Sequence, residues 1–305
     1  MKYLLLSMAF VVSLVTVKAQ TYKLINDICF TSKTDAYSTE RLKLDICYPE
    51  DAEEAPVIIW FHGGGLTDGA KGIPDNLKST GAVIVAPNYR LLPNVTVSET
   101  LDDAAEAVAW VFHHIAEYGG DNRKIVVTGY SAGGYLTLML CLDKALLLKY
   151  SVNPDATMLY VSFSGQAITH YSDRKMQGLS ALQPTINEMA PLYWVRKIYP
   201  PLVLITGDRE LELYGRCEEN LYLARMMKLV GNDKISLYEI KGYGHGDMLN
   251  PAYPILKKHL KMMLNKNYIP ESETITQYDG DVNKDGRVDV ADIATLISIM
   301  AGEEM

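Results

Sequence analysis

Between residues 57 and 264 the chain alternates short, dense apolar runs with longer stretches in which apolar positions recur every three or four residues. The short runs are residues 57–61 (VIIWF), 82–86 (AVIVA), 125–127 (IVV), 158–163 (MLYVSF), 202–206 (LVLIT) and 235–240 (ISLYEI). Runs of this kind predict strands covered on both faces. Helical spacing fills the intervals at 98–118, 133–150, 214–230 and 253–264, with Ser98 as the expected N-cap of the first and Asp102 and Asp103 in its early turns. Alternating strands and helices predict an α/β fold, a doubly wound and mostly parallel sheet. Ahead of it, residues 22–30 and 42–48 alternate polar and apolar positions and predict an antiparallel strand pair. Residues 165–199 break the rhythm: about 35 residues hold no clear strand, yet carry Tyr171, Met176, Met189, Tyr193 and Trp194. A stretch of that length in a compact domain predicts a short cap or binding element.

The two ends read differently from the middle. Residues 1–19 combine Lys2, an apolar core over 3–17 and the small-residue pattern Val17-Lys18-Ala19, which predicts a removable signal peptide and hence a secreted or periplasmic protein. No later segment reaches the roughly 18 apolar residues a membrane span needs. Without Lys2 and Lys18 the balance is 27 basic against 37 acidic residues, a net −10, which argues against nucleic acid and anionic membranes as partners. From Glu271 onward there are nine acidic and two basic residues, so that segment alone carries −7. The expected division is therefore 1–19 signal peptide, 20–265 catalytic domain, 266–278 polar linker and 279–305 acidic tail.

Four cysteines are present, none in a close pair. Export would permit disulfides, and Cys29 and Cys47 fall in the two strands expected to neighbour each other; a bridge between them is one possibility, a pair of free thiols the other. Cys141 and Cys217 fall on helical patterns and read as buried thiols.

Chemistry concentrates in residues 124–135, KIVVTGYSAGGY. A buried strand runs into Gly129-Tyr130-Ser131-Ala132-Gly133, and a helical pattern follows. Glycines on both sides of a serine in that setting allow a turn tight enough to lift the hydroxyl above the sheet edge, at a helix N-terminus that favours developing negative charge. A serine so placed needs a general base, and histidine has the suitable proton affinity. Of six histidines, His113, His114 and His259 fall inside helices, His170 in the insertion and His62 in a glycine-rich loop after the first buried strand. His245 alone follows the last strand, in a loop rich in glycine, where C-terminal strand ends converge.

Five segments in order carry a resemblance: WFHGGG at 60–65, APNYRL at 86–91, GGDNRKIVVTGYSAGG at 119–134, ITGDRE at 205–210 and GYGHGDM at 242–248. Over residues 27–264 the chain resembles the α/β-hydrolase superfamily, and within it the esterases and lipases with an HGGG loop. The resemblance implies a serine, acid, histidine order, with the acid in the loop after the strand at 202–206. Glu210 stands at the position the family usually gives to aspartate in G-x-x-D and is the expected acid; Asp208 is the alternative and Glu212 ranks third. It further implies an oxyanion hole formed by the N–H groups of Gly64, Gly65 and Ala132, with His62 and Gly63 shaping the loop. A phosphate cradle is the other reading of three glycines after a strand, but no Lys-Ser/Thr follows.

In the tail, Asp281, Asn283, Asp285, Asp289 and Asp292 stand at positions 1, 3, 5, 9 and 12 of a loop, with Gly286 at 6 and the Arg287 carbonyl at 7. Hard Ca²⁺ takes oxygen donors at this spacing. With the helical pattern at 290–300, the tail resembles one repeat of a dockerin, which normally has two; the resemblance implies a cohesin-like partner, or another partner for the tail.

The expectation is an exported serine esterase that needs no cofactor for catalysis, cleaving short acyl esters such as acetyl or feruloyl groups on xylan-like glycans. A serine peptidase of the same superfamily and a non-catalytic carbohydrate- or protein-binding module on a hydrolase scaffold are the competing readings.

Overall fold

The structure, a computed structural model, describes residues 21–265. The signal peptide, the linker and the calcium-binding tail expected from the sequence lie outside the described residues. In chain order the elements are β1 (Tyr22–Cys29), α1 (Ala36–Arg41), β2 (Lys43–Pro49), β3 (Ala55–Phe61), α2 (Asp75–Lys78), β4 (Val83–Pro87), α3 (Val97–His114), β5 (Gly120–Tyr130), α4 (Ala132–Leu142), α5 (Lys144–Leu148), β6 (Leu159–Phe163), α6 (Tyr171–Met176), β7 (Leu202–Gly207), α7 (Arg216–Leu229), β8 (Ile235–Ile240) and α8 (Leu249–Leu264). The eight strands form one sheet in the order β1-β2-β4-β3-β5-β6-β7-β8. Pairing is antiparallel from β1 to β2 and from β2 to β4, and parallel from there on.

Alternate residues of the central strands enter two separate cores. Val57, Ile59, Val83, Val85, Ile125 and Val127 pack against α3, α4 and α7, while Ile58, Trp60, Ile84, Val126, Val161 and Val203 pack against α8 and Leu77 of α2. Both faces of the sheet are therefore dry, which is why these strands read as unbroken apolar runs and not as alternation. Crossover helices on both faces send the C-terminal ends of β3 and β5 to β8 to the same edge, where Ser131 and His245 lie.

Three local expectations change, and one left open is decided. Helix α3 is capped by Thr96, not Ser98: Thr96 accepts from the Glu99 amide and Glu99 returns a bond to the Thr96 amide, a reciprocal capping box. The helix expected over 133–150 divides at Asp143, whose extended backbone and side-chain bond to the Ala145 amide end α4 and start α5. Helix α8 begins at Leu249, so Pro254 lies in its second turn and not at its start. Cys29 and Cys47 are free thiols. Cys29 is opposite Lys43 and Cys47 opposite Leu24, so strand register separates them by four positions, about 13 Å, beyond disulfide reach.

The insertion at 165–199 holds α6 and a single 3₁₀ turn at Pro191–Trp194. It packs back on the domain through Tyr135 Oη to the Met189 carbonyl (2.7 Å) and Ser172 Oγ to the Gly65 carbonyl (2.5 Å). The loop after β4 is fixed by a buried ion pair, Arg90 Nε and Nη2 each 2.8 Å from the Asp103 carboxylate, with the Arg90 amide a third donor at 3.1 Å. Asp103 has no exposed surface. Removing one partner leaves the other charge buried and unpaired, so Asp103→Ala is expected to lower unfolding free energy by about 3–5 kcal/mol. Chemical denaturation measures this directly; a loss below about 1 kcal/mol would show that the pair does not hold the loop.

Candidate active site

Strand β5 ends at Tyr130 and α4 starts at Ala132, leaving one residue to make the turn. Ser131 makes it with φ 56° and ψ −113°, left-handed backbone that a side chain rarely adopts. Its amide donates to the Phe163 carbonyl (2.8 Å) and its carbonyl accepts from Tyr135 (2.9 Å), so the strained residue is pinned on both sides. The turn also needs Gly133: a Cβ there would strike the Phe61 carbonyl at the end of the neighbouring strand.

His245 lies in the turn after β8, where Asp247 and Met248 donate to the Gly244 carbonyl at 3.2 and 3.0 Å. Tyr130 orients it from below, donating its hydroxyl to the His245 carbonyl while the two rings lie 5.1 Å apart. His245 Nε2 is 2.9 Å from Ser131 Oγ. The structure thus brings together the two residues expected from the sequence.

The acid differs from the expectation. Glu212, the third-ranked candidate, takes the position, with Oε1 2.5 Å from His245 Nδ1 and its side chain 1% exposed. Glu210 is exposed, and Asp208 is committed elsewhere: its carboxylate accepts from the amides of Gly242 (2.8 Å) and Glu210 (3.1 Å), tying the loop after β7 to the loop after β8. The physical reason lies in the backbone. The Asp208 carbonyl accepts from Leu211 and Glu212 at 2.9 and 2.8 Å, so the loop coils through one turn and returns the residue four positions on, not two, to the histidine. A single helical turn brings i and i+4 to one side, and Asp208 followed by Glu212 was the available signal.

Four donors meet on the Glu212 carboxylate. Leu213 N (2.9 Å) and His245 reach Oε1; Gly207 N (2.9 Å) and Ser164 Oγ (2.8 Å) reach Oε2. Burial alone would raise its proton affinity, but the hydrogen bonds and the His245 charge outweigh that and pull the carboxyl from 4.5 down to about 2. Ser164 was not singled out from the sequence.

The HGGG segment forms a braced loop after β3. The Gly64 carbonyl accepts from Thr67 and Asp68 at 3.0 and 2.9 Å, whereas the N–H groups of Gly64 and Gly65 donate to no acceptor among the described residues. Ala132, first residue of α4, likewise presents a free N–H at the helix start. Gly65 sits at φ 62°, and a Cβ there would collide with the Tyr171 hydroxyl, so the insertion closes directly over this loop. His62 stacks on Tyr89 at 4.3 Å and donates Nδ1–H to the Gly63 carbonyl (2.6 Å). Burial lowers its pKa to about 4, so it is a neutral brace at physiological pH, not a second base. Tyr89 donates to the His62 carbonyl (2.8 Å), and Arg41 ties Tyr89 and Gly69 together through their carbonyls at 3.0 and 2.6 Å.

No group of His, Cys, Asp and Glu suited to a metal occurs among the described residues. The proposed calcium donors Asp281, Asn283, Asp285, Arg287, Asp289 and Asp292 lie outside them.

Known proteins share the fold that carries this site. Residues 44–158 match the BD-FAE family model. A Thermogutta terrifontis esterase 2, solved phosphonylated by sarin, superposes with a TM-score of 0.64 at 21% identity, covering 87% of this chain and all of that one. A truncated carbohydrate esterase from gut microbiota superposes with a TM-score of 0.63 at 17% identity, covering 79% and 96%. The chain has the α/β-hydrolase fold. By sequence it is similar to esterase LipI of Mycobacterium tuberculosis, 35% identical over 95 residues, which is 30% of each chain. It is also similar to esterase LipC of the same organism, 25% identical over 237 residues, 68% of this chain and 58% of that one. The chain thus spans less than two thirds of the length of the curated relatives it matches.

The low pKa of Glu212 has a consequence for stability. A folded-state value depressed from 4.5 to about 2 contributes stability that is complete above 4.5 and is lost as pH falls toward 2. Glu212→Gln is expected to be less stable than the parent at pH 6, and the difference should shrink by about 3 kcal/mol on descending to pH 2. Denaturant titrations of both proteins across that window test it; a pH-independent difference would show that Glu212 is not ionised in a stabilising site.

Proposed function

We propose that this protein is a serine carboxylesterase. The observation that carries the proposal is the unbroken chain Ser131 Oγ, His245, Glu212, with Ser131 at the start of α4. In this reading Ser131 Oγ adds to the ester carbonyl carbon while its proton passes to His245 Nε2. The carbonyl electron pair moves to oxygen, and the developing charge meets the N–H groups of Gly64, Gly65 and Ala132. Collapse breaks the bond to the alcohol, which takes the proton from Nε2, and an acyl-Ser131 intermediate remains. Water then repeats the steps with His245 as base, releasing the acid and restoring Ser131. Glu212 stays ionised throughout, stabilising the imidazolium without taking its proton.

The reading extends to acetyl or feruloyl esters on plant-type polysaccharides such as xylan. The BD-FAE match, the carbohydrate esterase of similar fold and the signal-like and dockerin-like ends of the sequence support it. The proposal includes export, which the signal-like residues 1–19 support, with Ca²⁺ the proposed ligand of Asp281, Asn283, Asp285, the Arg287 carbonyl, Asp289 and Asp292 and a cohesin-like protein the proposed partner of that tail.

The purified protein is expected to hydrolyse p-nitrophenyl acetate faster than the octanoate, and to release acetate or ferulate from esterified xylan. Ser131→Ala should abolish turnover, and Glu212→Gln should lower kcat by roughly 10³-fold or more, while Glu210→Gln stays within about twofold of the parent. Equal losses in the two glutamate variants would sink the assignment of the acid. Turnover of simple esters with no release from native glycan would remove the polysaccharide. Chelation with EDTA should leave hydrolysis of p-nitrophenyl acetate intact, because every proposed calcium donor lies at or beyond Asp281; lost turnover would contradict this.

A further inference from the structure

Ser164 is fully buried and immediately follows β6, and like Ser131 it has left-handed backbone, at φ 49°. A side chain is kept in that conformation only where the surroundings determine it strongly. Here they do. The Ser164 amide donates to the Ile205 carbonyl at 2.7 Å, and its own carbonyl accepts from Arg216 Nη1. Arg216 is itself 1% exposed. The hydroxyl so fixed lies between the acid and the base, with Oγ 2.8 Å from Glu212 Oε2 and 3.0 Å from His245 Nδ1.

We propose that Ser164, held by Arg216, is a positioning residue of the catalytic site, a fourth member that fixes the tautomer of His245 and the rotamer of Glu212. The hydroxyl has one proton, and the ionised carboxylate can only accept, so the proton goes to Glu212 Oε2. That turns an oxygen lone pair toward Nδ1, which accepts the weaker branch of the Nδ1–H bond whose main partner is Glu212 Oε1. Both bonds favour hydrogen on Nδ1, which leaves Nε2 bare to take the Ser131 proton. The carboxylate is also clamped: Leu213 donates to Oε1, while Gly207 and Ser164 both donate to Oε2. The neighbouring residue, Phe163, holds the Ser131 amide through its carbonyl, so two consecutive residues at the end of β6 govern both ends of the proton path.

The inference rests on the esterase reading only for its kinetic arm. Ser164→Gly removes the hydroxyl and its bond to the buried carboxylate while relieving the left-handed backbone; Ser164→Ala removes the hydroxyl and keeps the strain. Both are expected to lose roughly 10- to 100-fold in kcat with KM within about twofold, although their thermal midpoints differ. A Ser164→Gly enzyme with the kcat of the parent would overturn the proposal, because a purely structural serine is well replaced there by glycine. The second readout needs no substrate. The far-downfield proton resonance of the His245 Nδ1–H, assigned by its loss in His245→Gln, should shift in Ser164→Gly. An unmoved resonance would overturn the proposal even if the parent hydrolysed no ester, whereas a parent inactive on all esters with a shifted resonance would count against the esterase reading alone.

Discussion

The site depends on one constraint, the change of direction at Ser131. A strand buried on both faces must become a helix within one residue, and the residue in between is held at a backbone conformation that costs about 1–3 kcal/mol. That cost is met by the two cores around the sheet and by direct restraint: Phe163 holds the Ser131 amide, and α4 runs so close to the end of β3 that only glycine fits at 133. The benefit is placement. The hydroxyl stands at the helix start, where the Ala132 amide has no partner within the helix, and a parallel sheet brings the loops after β3, β7 and β8 to the same edge.

Each of those loops is steadied by residues from elsewhere. The loop after β3 is braced on one side by Tyr89 and Arg41, and Tyr89 adjoins Arg90, whose buried pair with Asp103 joins it to α3. On the other side Ser172 of the insertion takes the Gly65 carbonyl. The loops after β7 and β8 are joined to each other through the Asp208 carboxylate and the Gly242 amide. Backbone donors near the nucleophile are thereby left over while the carbonyls around them are occupied. An oxyanion site requires that division: donors fixed before charge appears need no reorganisation when it does.

The parts of this structure that were legible in the sequence are those with local causes. Doubly buried strands announce themselves as continuous apolar runs, and a one-residue turn announces itself by the glycines that sterics demands around Ser131. His245 was found by position, as the histidine after the last strand. What was not legible depends on how a loop coils. Glu210, Asp208 and Glu212 are chemically equivalent as orienting acids, and only the turn closed on the Asp208 carbonyl decides that Glu212 faces inward. Ser164 was invisible for a related reason: a serine at a strand end is unremarkable until tertiary packing puts a histidine and a carboxylate against it. Thr96 is different, since the pair Thr96 and Glu99 was present in the sequence as a capping box and simply outcompetes Ser98.

Glutamate at the acid position also bears on how protons are divided in the site. One turn beyond Asp208, the longer side chain reaches into a pocket with four donors, where an aspartate would have one methylene less to span the gap. Burial works against ionisation, but the His245 hydrogen bond and charge, the Leu213 amide and the Arg216 charge make the carboxylate a weak base, with a pKa drawn to about 2. The carboxylate therefore stays ionised at 2.5 Å from His245 Nδ1, and Glu212 acts as fixed negative charge. The donors that lower its basicity are therefore part of the base's own tuning. Were they absent, burial would raise the carboxyl, and a neutral glutamic acid would neither hold hydrogen on Nδ1 nor stabilise the imidazolium that forms when Ser131 gives up its proton.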